Sequence, residues 1–433
     1  MIAIRRAIPA LMGAITVMAV AAVSAHSQDE QPTSAHDYVD FEIAHSQAVQ
    51  PPERTDPRTA GINAAALDHI LLRAAETNTD ALVVLHDGKL VGDWRFGKSA
   101  QPIEAMSVTK SVVSIAIGRL VDQGKLRLQD QVARFYPEWG GTPKERITIR
   151  DLLDHMSGLK ADASTDEIYL TSNIVRLALE APLASEPGTV FFYNNKATNL
   201  LTGIAEEVTG TKLDEFMRDE IFAPLGVKRF SWLRDPAGNP HAEAGLKIDA
   251  LDLAKIGQMM LDEGAFQGQR ILSTAWVRES VRKGDGVRQS GLLWWQLRAP
   301  GAVEISDETL DAWRKGGADP QFIAKMASIR GRKASGEAGV LGLLDEVFGA
   351  GAGQSAYMTN VIERSLPGIS VAAGPVIGFY AEGYLGQYVA VLPGSRLVVV
   401  RMISEASFKS DQDSFSDFLD AVSALKPIPP TPR

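Results

Sequence analysis

The chain has 433 residues, no cysteine and a formal net charge of −9. The lack of cysteine excludes disulfides, thiol catalysis and Cys-ligated metal sites. The charge balance lacks the basic footprint of nucleic-acid binding, so we expect no nucleic-acid partner. Because 45% of the residues are hydrophobic, a chain of this length can bury a sizeable core without disulfides. The seven histidines lack the His-x-x-x-His spacing of common zinc sites, so we expect neither a metal nor another cofactor.

The N-terminus has the pattern of a secretory signal peptide. A basic start at Arg5 and Arg6 precedes an apolar run from about Ala7 to Val23, and small residues follow it. We predict a signal peptide over residues 1–25, and hence a secreted or periplasmic protein. The alternative is a membrane anchor, but the run contains a proline and is short for a span. No later segment is long and apolar enough, so no stable membrane span is expected after signal removal.

Hairpin signals lie near both ends of the chain. Residues 26–60 are polar and proline-rich, and we expect an extended lead-in to a domain over residues 61–427. Ala81 to Phe96 contains Asp-Gly between two apolar runs, the signature of a tight β-hairpin. A second hairpin is predicted where Gln387 to Leu392 and Arg396 to Ile403 flank a Pro-Gly-Ser turn.

The segment between the hairpins is mostly helical in pattern. Ser107 to Gln123 is apolar nearly all round, which predicts a buried helix with Gly124 as its C-cap. Further helices are predicted from Lys196 to Val208 and from Asp249 to Leu261. Strands from both termini around a helical middle predict an α/β fold of the α+β type. It would have one antiparallel sheet flanked by helices, a helical lobe, and a site in the groove between them.

Residues 298–375 read as an insertion before the closing strands. They are rich in Gly and Ala, contain the charge cluster Arg330-Gly-Arg332-Lys333, and carry a helix-like apolar run from Val340 to Phe348. Two interpretations stay open. The insertion is surface padding or a dimer contact, or it is a lid over the groove.

Ser107 and Lys110 give the strongest functional signal, because they open the predicted buried helix. Residues three apart on a helix lie on one face about one turn apart, so the amine can reach the hydroxyl. A serine hydroxyl is too weak an acid to attack a carbonyl unaided, but a buried neutral amine can take its proton. The positive end of the helix disfavours the ammonium. We therefore predict Ser107 as a nucleophile and Lys110 as its base.

The Ser-x-x-Lys spacing alone is not specific, because it recurs at Ser157, Ser280 and Ser423. The first of these follows a Gly-containing loop, and the other two resemble solvated helix faces. We interpret all three as structural. The Ser107 copy differs because it opens a long apolar helix.

A second group, Tyr193-Asn194-Asn195, immediately precedes the helix predicted from Lys196. A tyrosine on such a loop can exchange protons with the oxygen of a nucleophile and with a leaving group. Asn195 can hold the lysine amine and a substrate carbonyl. The alternative for Tyr193 is an ordinary core position, since it lies among apolar residues.

A third group, Glu382-Gly383-Tyr384-Leu385-Gly386-Gln387, leads into the C-terminal hairpin. Gly386 lets a ligand approach the strand edge closely, where the backbone N–H of Gln387 faces outward. That N–H and the N–H of Ser107 can together form an oxyanion hole.

In this order the motifs resemble those of the serine β-lactamase and penicillin-binding protein superfamily. The matching stretches are Ser107-Val-Thr-Lys110, Leu152-Leu-Asp-His155, Tyr193-Asn-Asn195 and Gly386-Gln387. The Tyr-x-Asn form is similar to the class C β-lactamase branch, which also contains esterases, D-amino-acid peptidases and 6-aminohexanoate-dimer hydrolases. The resemblance covers roughly residues 61–425 apart from the insertion. It implies a β-lactamase/transpeptidase-like fold.

The resemblance also implies a role for each site residue. Ser107 would be the nucleophile, Lys110 the base or its activator, and Tyr193 the proton shuttle. Asn195 would contact the substrate and the lysine. Ser107 and Gln387 would supply the oxyanion N–H groups.

One position departs from the family pattern. The third motif usually begins with Lys or His, a cation that recognises a substrate carboxylate, and Tyr384 occupies that place here. Without the cation, a β-lactam or a D-Ala-D-Ala terminus loses a charge-assisted hydrogen bond.

The sequence therefore favours a secreted or periplasmic serine hydrolase that cleaves small-molecule esters or amides through an acyl-enzyme on Ser107. One alternative is a β-lactamase or D-Ala-D-Ala carboxypeptidase of the same fold. The other is a catalytically silent binding or sensor protein. The natural substrate and the oligomeric state are left open.

Overall fold

The computed structural model describes residues 36–44, 49–97, 102–162, 164–282, 291–334, 336–349 and 351–426. The predicted signal peptide lies outside these residues. The described chain divides into two compact units. The small unit is Arg298–Val376, and the large unit comprises the described parts of Thr33–Leu297 and Ile377–Arg433.

The strands within the described ranges are β1 Asp37–Glu42, β2 Ala81–His86, β3 Lys89–Arg95, β4 Ile103–Glu104, β5 Arg229–Arg234, β6 Leu246–Ile248, β7 Ala265–Phe266, β8 Gln269–Arg270, β9 Trp295–Arg298, β10 Gly301–Glu304, β11 Lys333–Ala334, β12 Ser370–Val371, β13 Val376–Gly383, β14 Gln387–Leu392 and β15 Leu397–Met402.

The α-helices are α1 Ala64–Glu76, α2 Val108–Asp122, α3 Ile149–Leu153, α4 Asp166–Leu170, α5 Ile174–Glu180, α6 Asn195–Thr198, α7 Leu200–Thr209, α8 Leu213–Met217, α9 Ala250–Leu261, α10 Thr274–Ser280, α11 Asp307–Lys315, α12 Pro320–Ser328, α13 Gly336–Phe348, α14 Gly353–Tyr357 and α15 Phe418–Leu425. Short π-helical turns occupy Arg218–Phe222 and Met358–Ile362. Short 3₁₀ turns occupy Val132–Arg134, Pro137–Trp139, Pro143–Arg146, Tyr384–Gly386, Pro393–Ser395 and Asp411–Ser414. No helix of the described chain is long and apolar enough to cross a membrane.

The main sheet joins strands from both ends of the chain. Its order is β3-β2-β15-β14-β13-β9, and the neighbours from β3 to β13 pair antiparallel. The β2–β3 hairpin turns at Asp87 and Gly88, both with positive φ, as the Asp-Gly signal predicted. Strand β15 lies beside β2, with Val399 opposite Val84. The predicted antiparallel sheet from both termini is confirmed.

A second sheet of the large unit has the order β1-β5-β6-β4. Strand β1 comes from the segment predicted as an extended lead-in, and it pairs antiparallel with β5. Phe41 and Phe230 are opposite each other in this pair, and their rings stack with centroids 4.6 Å apart. This part of the lead-in is therefore a strand of the large unit.

The helical predictions differ from the structure at one helix. Helix α2 is buried and is followed by Gly124 at φ +71°, and α9 begins after its Asp249 N-cap, as expected. The single helix predicted from Lys196 to Val208 is instead two helices, α6 and α7. They separate at Asn199, whose N–H bonds to Lys196 O only three residues back, a tighter turn than an α-helix allows.

The core of the large unit lies between the main sheet and the helices, with α9 packed on β14, β15 and β2. Gly257 faces the sheet. A Cβ placed there would lie 2.6 Å from Val398 Cγ1 and 3.3 Å from Val389 Cγ1. The absence of a side chain therefore sets how closely α9 approaches the sheet.

The small unit has its own sheet and core. Its strand order is β11-β10-β12, and helices α11 to α14 surround a cluster that includes Trp313, Phe322 and Met326. The helix predicted from Val340 to Phe348 is found as the later part of α13. Whether this unit is a lid, a dimer contact or padding stays a prediction.

Gly257→Ala is expected to lower the free energy of unfolding by about 1 kcal/mol. Overpacking against Val398 outweighs the usual gain from replacing a helical glycine. Gly342→Ala in α13 is the matched control, because no described atom lies within 4 Å of an added Cβ there. It should raise stability by a few tenths of a kcal/mol or more. Urea unfolding of both variants measures the difference, and a stabilised Gly257→Ala would contradict the packing described.

Candidate active site

The turn before α2 places Ser107. Met106 has φ +48°, a left-handed conformation that is rare for a non-glycine residue. The N–H of Val108 donates to Ala105 O at 3.1 Å, and the N–H of Thr109 donates to Met106 O at 3.0 Å. Such strain persists where the surrounding structure fixes it, and it is common at functional sites. The Ser107 hydroxyl is thereby held at the N-terminus of a buried helix.

Lys110 lies one turn further along α2 and is 2% exposed. Its Nζ donates to Ser107 Oγ at 2.9 Å and to the backbone oxygen of Glu243 at 2.6 Å. The structure therefore brings together the predicted nucleophile and base, and it adds a partner from a distant loop. The amine has a buried environment with two oxygen acceptors, one of them the hydroxyl.

Tyr193 packs against the other side of the amine. Lys110 Nζ lies over its ring, 4.9 Å from the centroid. The ring is also 4.5 Å from the ring of His155 and 6.4 Å from that of Trp295. Tyr193 is half-buried, so it is neither a fully enclosed core residue nor a free surface side chain.

The ring of His155 packs against the ring of Tyr193. It is buried, and its Nδ1 accepts a hydrogen bond from the N–H of Asn194 at 3.3 Å. Burial, with a smaller effect from the charge of Lys110, lowers the pKa of His155 to about 3. His155 is therefore neutral at ordinary pH and adds no positive charge beside Lys110.

The two asparagines after Tyr193 have different environments. Asn194 is buried and caps α6, accepting from the N–H of Ala197 at 2.8 Å and donating to Leu159 O at 2.8 Å. Asn195 is half-buried at the start of α6. Among the described residues, Asn195 makes no hydrogen bond to Lys110. Its expected contact with a substrate carbonyl stays a prediction.

Gly383, at the end of β13, lies against Ser107. A Cβ placed on Gly383 would be 2.9 Å from Ser107 N and 2.6 Å from Ala105 O. A side chain there would clash with backbone, so the close approach requires glycine. The sequence analysis included Gly383 in the third group but assigned the close approach to Gly386. The Ala381-Glu382-Gly383 stretch, which ends in glycine like the Lys-Thr-Gly motif of the superfamily, was the signal for Gly383.

The structure places the predicted third motif differently from expectation. Gly386 packs against Arg401 rather than Ser107, since its Cβ position would be 2.3 Å from Arg401 Nη1. Gln387 is opposite Gly383 on β14, and its buried side chain bonds to the backbone of Ile403 in both directions. The residue beside the Ser107 N–H is therefore Gly383, because β13 and not β14 runs next to the turn.

Arg401 was missed by sequence analysis. Its fully buried guanidinium donates to the backbone oxygens of Gly386 at 2.6 Å, Thr77 at 2.9 Å and Asp413 at 2.5 Å. Burial is the main cause that lowers its pKa to about 10. These bonds fix the β13–β14 turn, which carries Gly383 and Tyr384. An Arg inside a valine-rich strand was the signal that could have found it.

The acidic and histidine side chains of the described chain do not gather as a metal centre. Within the ranges given above, no group of three or more His, Asp or Glu side chains is placed to hold a metal ion. The site consists of a hydroxyl, an amine, a phenol and backbone N–H groups.

The antiparallel main sheet with helices packed on it is a β-lactamase/transpeptidase-like fold. The serine hydroxyl bonded to a buried lysine amine at the start of α2 is a serine-lysine pair within that fold. A model of the β-lactamase family matches residues 67–416, and the chain belongs to that family.

The chain is similar to several characterised proteins and structures. It is 28% identical over 260 residues to a 6-aminohexanoate-dimer hydrolase of Paenarthrobacter ureafaciens, an alignment covering 53% of this chain and 66% of that protein, just under two thirds. A solved structure described as a putative 6-aminohexanoate-dimer hydrolase from Bacillus anthracis superposes with a TM-score of 0.62, 18% identity and 90% coverage of both chains. A class C β-lactamase mutant superposes with a TM-score of 0.52 at 15% identity, covering 83% of this chain and 97% of that one. These superpositions confirm the fold predicted from sequence.

His155→Gln is expected to flatten the dependence of stability on pH. The unfolded chain binds a proton at His155 below about pH 6.5, whereas the folded protein resists it down to about pH 3. Stability attributable to His155 therefore falls as pH drops through this window. The natural protein should lose on the order of 2–3 kcal/mol more than the variant between pH 6.5 and pH 4.5.

Urea unfolding at both pH values measures this effect. The matched control is His69→Gln, because His69 is exposed on α1. An equal pH dependence for His155→Gln and the natural protein would contradict a neutral, buried His155.

Proposed function

We propose that this protein is a serine hydrolase that cleaves neutral esters or small amides through an acyl-enzyme on Ser107. One observation supports this most directly: Lys110 Nζ, 2% exposed, lies 2.9 Å from Ser107 Oγ. A buried amine bonded to a serine hydroxyl is the arrangement that activates a serine nucleophile. Membership of a family of hydrolases agrees with this reading.

In the proposed reaction, Lys110 takes the proton of Ser107 while Oγ bonds to the substrate carbonyl carbon. The carbonyl oxygen becomes an oxyanion. Collapse of this intermediate breaks the ester or amide bond, and Tyr193 passes the proton from Lys110 to the leaving alkoxide or amine. Water then attacks the acyl-enzyme, its proton passes to Lys110, and Ser107 leaves with a proton again.

The oxyanion is proposed to lie between the N–H groups of Ser107 and Tyr384. Gly383 holds the end of β13 against the Ser107 backbone. The next peptide N–H in the chain is that of Tyr384, and we assign it as the second donor. Two convergent backbone donors stabilise a tetrahedral oxyanion. The close approach favours Tyr384 over Gln387 as the second donor.

The substrate is proposed to be neutral because the motif lacks its cation. With Gly383 as the glycine of a Lys-Thr-Gly motif, the position of the lysine is Ala381, which is buried, and not Tyr384 as the sequence led us to expect. The two arginines of the insertion considered as substitutes for the lysine are already paired within the small unit. Arg330 donates to Asp307 at 2.6 Å, and Arg332 makes a bidentate pair with Glu346.

Apolar surface near the motif residues agrees with a substrate of low polarity. Phe192, beside Tyr193 in sequence, is 54% exposed, and Tyr384 is 73% exposed. Large aromatic side chains left open to solvent often mark binding surfaces. Secretion to the periplasm or beyond is part of the proposal and depends on the signal pattern in residues 1–25.

Ser107→Ala is expected to abolish turnover of a nitrophenyl ester and labelling by a fluorophosphonate, because the nucleophilic oxygen is removed. Intact mass after incubation with the probe gives the labelling, and absorbance gives turnover. The matched control is Ser423→Ala, which has the same Ser-x-x-Lys spacing but a hydroxyl that donates to Asp420 O. It should label and turn over normally.

Near-normal turnover by Ser107→Ala would reject the nucleophile assignment. A natural protein that neither labels nor turns over any ester or amide would instead favour the silent binding protein.

Tyr384→Lys is expected to narrow the preference for neutral substrates over carboxylate-bearing ones. The position of the family's lysine, Ala381, is buried and cannot be tested in this way. The Tyr384 side chain is exposed and adjoins the proposed oxyanion site, so a lysine is tolerated there. It should add a charge-assisted bond to a substrate carboxylate worth roughly 1.5–3 kcal/mol. The measurement compares kcat/KM for a nitrophenyl ester and a chromogenic cephalosporin in both proteins. A natural protein that prefers the cephalosporin would support the β-lactamase alternative, which is compatible with membership of the β-lactamase family.

A further inference from the structure

A line of buried hydrogen bonds extends from Lys110 away from Ser107. Lys110 Nζ bonds to the backbone oxygen of Glu243, and Glu243 Oε1 lies 2.7 Å from His241 Nδ1. His241 Nε2 lies 2.8 Å from His36 Nδ1, and His36 Nε2 lies 2.8 Å from Thr171 O. Beyond Lys110, the side chains of this line, Glu243, His241 and His36, belong to no motif found in the sequence.

The partners limit where the protons are. Thr171 O can only accept, so His36 Nε2 donates to it. One further proton is shared between His36 Nδ1 and His241 Nε2, and another between His241 Nδ1 and the Glu243 carboxylate. The two rings therefore hold one positive charge beside an ionised Glu243. We place that charge on His241, because attraction to Glu243 outweighs burial and raises the pKa of His241.

The charge state agrees with the electrostatics of both groups. Burial alone would raise the pKa of Glu243, but attraction to His241 and to Lys110 outweighs burial and lowers it. Burial alone would lower the pKa of His241, but Glu243 outweighs it and the pKa is raised. Both residues are nearly or fully buried. Ionised groups that far inside are costly unless paired.

Five other charged or titratable groups surround the pair. Tyr169 on α4 stacks on His241 with ring centroids 5.5 Å apart. Asp235 and Glu104 act on His241 through their charges, and each already accepts a backbone N–H at 2.8 Å and 3.2 Å respectively. His36 and Lys110 complete the set. Glu243 Oε2 has no hydrogen-bond partner among the described residues.

We propose that Glu243 is a positioning residue that stabilises the ammonium formed when Lys110 takes the proton of Ser107, while His241⁺ prevents that ammonium from becoming permanent. This rests on the proposed serine hydrolase function. Lys110 Nζ bonds to the backbone oxygen of Glu243, so the carboxylate of the same residue lies near enough to favour the charged form of the amine. The imidazolium of His241, bonded to that carboxylate, offsets part of this attraction.

The proposal predicts opposite shifts for two variants. Glu243→Gln removes the carboxylate, so kcat/KM for a neutral ester should fall about tenfold at its optimum, within the range for a general-base contribution. The rising limb of kcat/KM against pH should move to lower pH, because the ammonium is disfavoured. His241→Gln leaves the carboxylate uncompensated, so the rising limb should move to higher pH.

The control is Asp214→Asn. Asp214 is another fully buried carboxylate, and its partner is Arg234, which donates to it at 2.7 Å and 2.8 Å. This variant should lose stability without moving the pH profile. Equal pH profiles for Glu243→Gln and the natural protein, or shifts of both variants in one direction, would overturn the proposal.

Ser107→Ala in the same assay separates the two levels of inference. Activity in Ser107→Ala means that the proposed function is wrong. An inactive Ser107→Ala with an unshifted Glu243→Gln means that only the role of Glu243 is wrong. If Glu243→Gln does not fold, the profile of His241→Gln decides, and the absence of a shift to higher pH refutes the proposal.

Discussion

The burial of the Lys110 amine is the constraint on which the site depends. An amine at 2% exposure needs acceptors, and it finds them in Ser107 Oγ and the backbone of Glu243. Without these bonds, an amine inside the protein would be costly. The same burial also serves the chemistry. Because the amine is shielded from bulk water, neighbouring protein groups determine the relative stability of its neutral and charged forms. Helix α2, buried on nearly every side, supplies this environment.

Two buried histidines illustrate how partners decide charge. His155 accepts a backbone N–H and has no carboxylate partner among the described residues, so burial keeps it neutral. His241 is equally enclosed, but it bonds to the Glu243 carboxylate, whose attraction outweighs burial and raises the pKa of His241. Lys110 therefore contacts the ring of Tyr193, which packs on a neutral His155, and the backbone oxygen of Glu243, whose carboxylate is paired with His241.

The opposite wall of the site depends on backbone rather than side chains. Gly383 permits β13 to touch the turn at Met106 and Ser107, and Arg401 fixes the next turn through bonds to backbone oxygens. Replacing either would move peptide groups and not merely remove a contact. If the oxyanion is held there, its binding geometry is set by the sheet and by one buried guanidinium. The third motif can therefore lack its usual lysine while the end of β13 keeps its position beside Ser107.

Local pattern in the sequence determined the features that span a few residues. The Ser107–Lys110 pair follows from helical spacing, the hairpins follow from Asp-Gly and Pro-Gly-Ser turns, and the Asp249 cap follows from its place before an apolar run. The motifs in order also gave the family and hence the fold. Local pattern failed at Asn199, because a hydrogen bond three residues back interrupts a helix that apolar spacing would continue. It also gave no sign that β1, in the predicted lead-in, pairs with β5.

Tertiary structure decided every contact between distant residues. His36 and His241 are 205 positions apart, and Lys110 and the Glu243 carbonyl are 133 apart, so no local spacing reveals them. Choosing Gly383 over Gly386 required knowing which strand passes the nucleophile, because both glycines end apolar segments and differ only in register. Sequence fixes spacing along one element, whereas the charge on a buried group depends on what other elements bring against it.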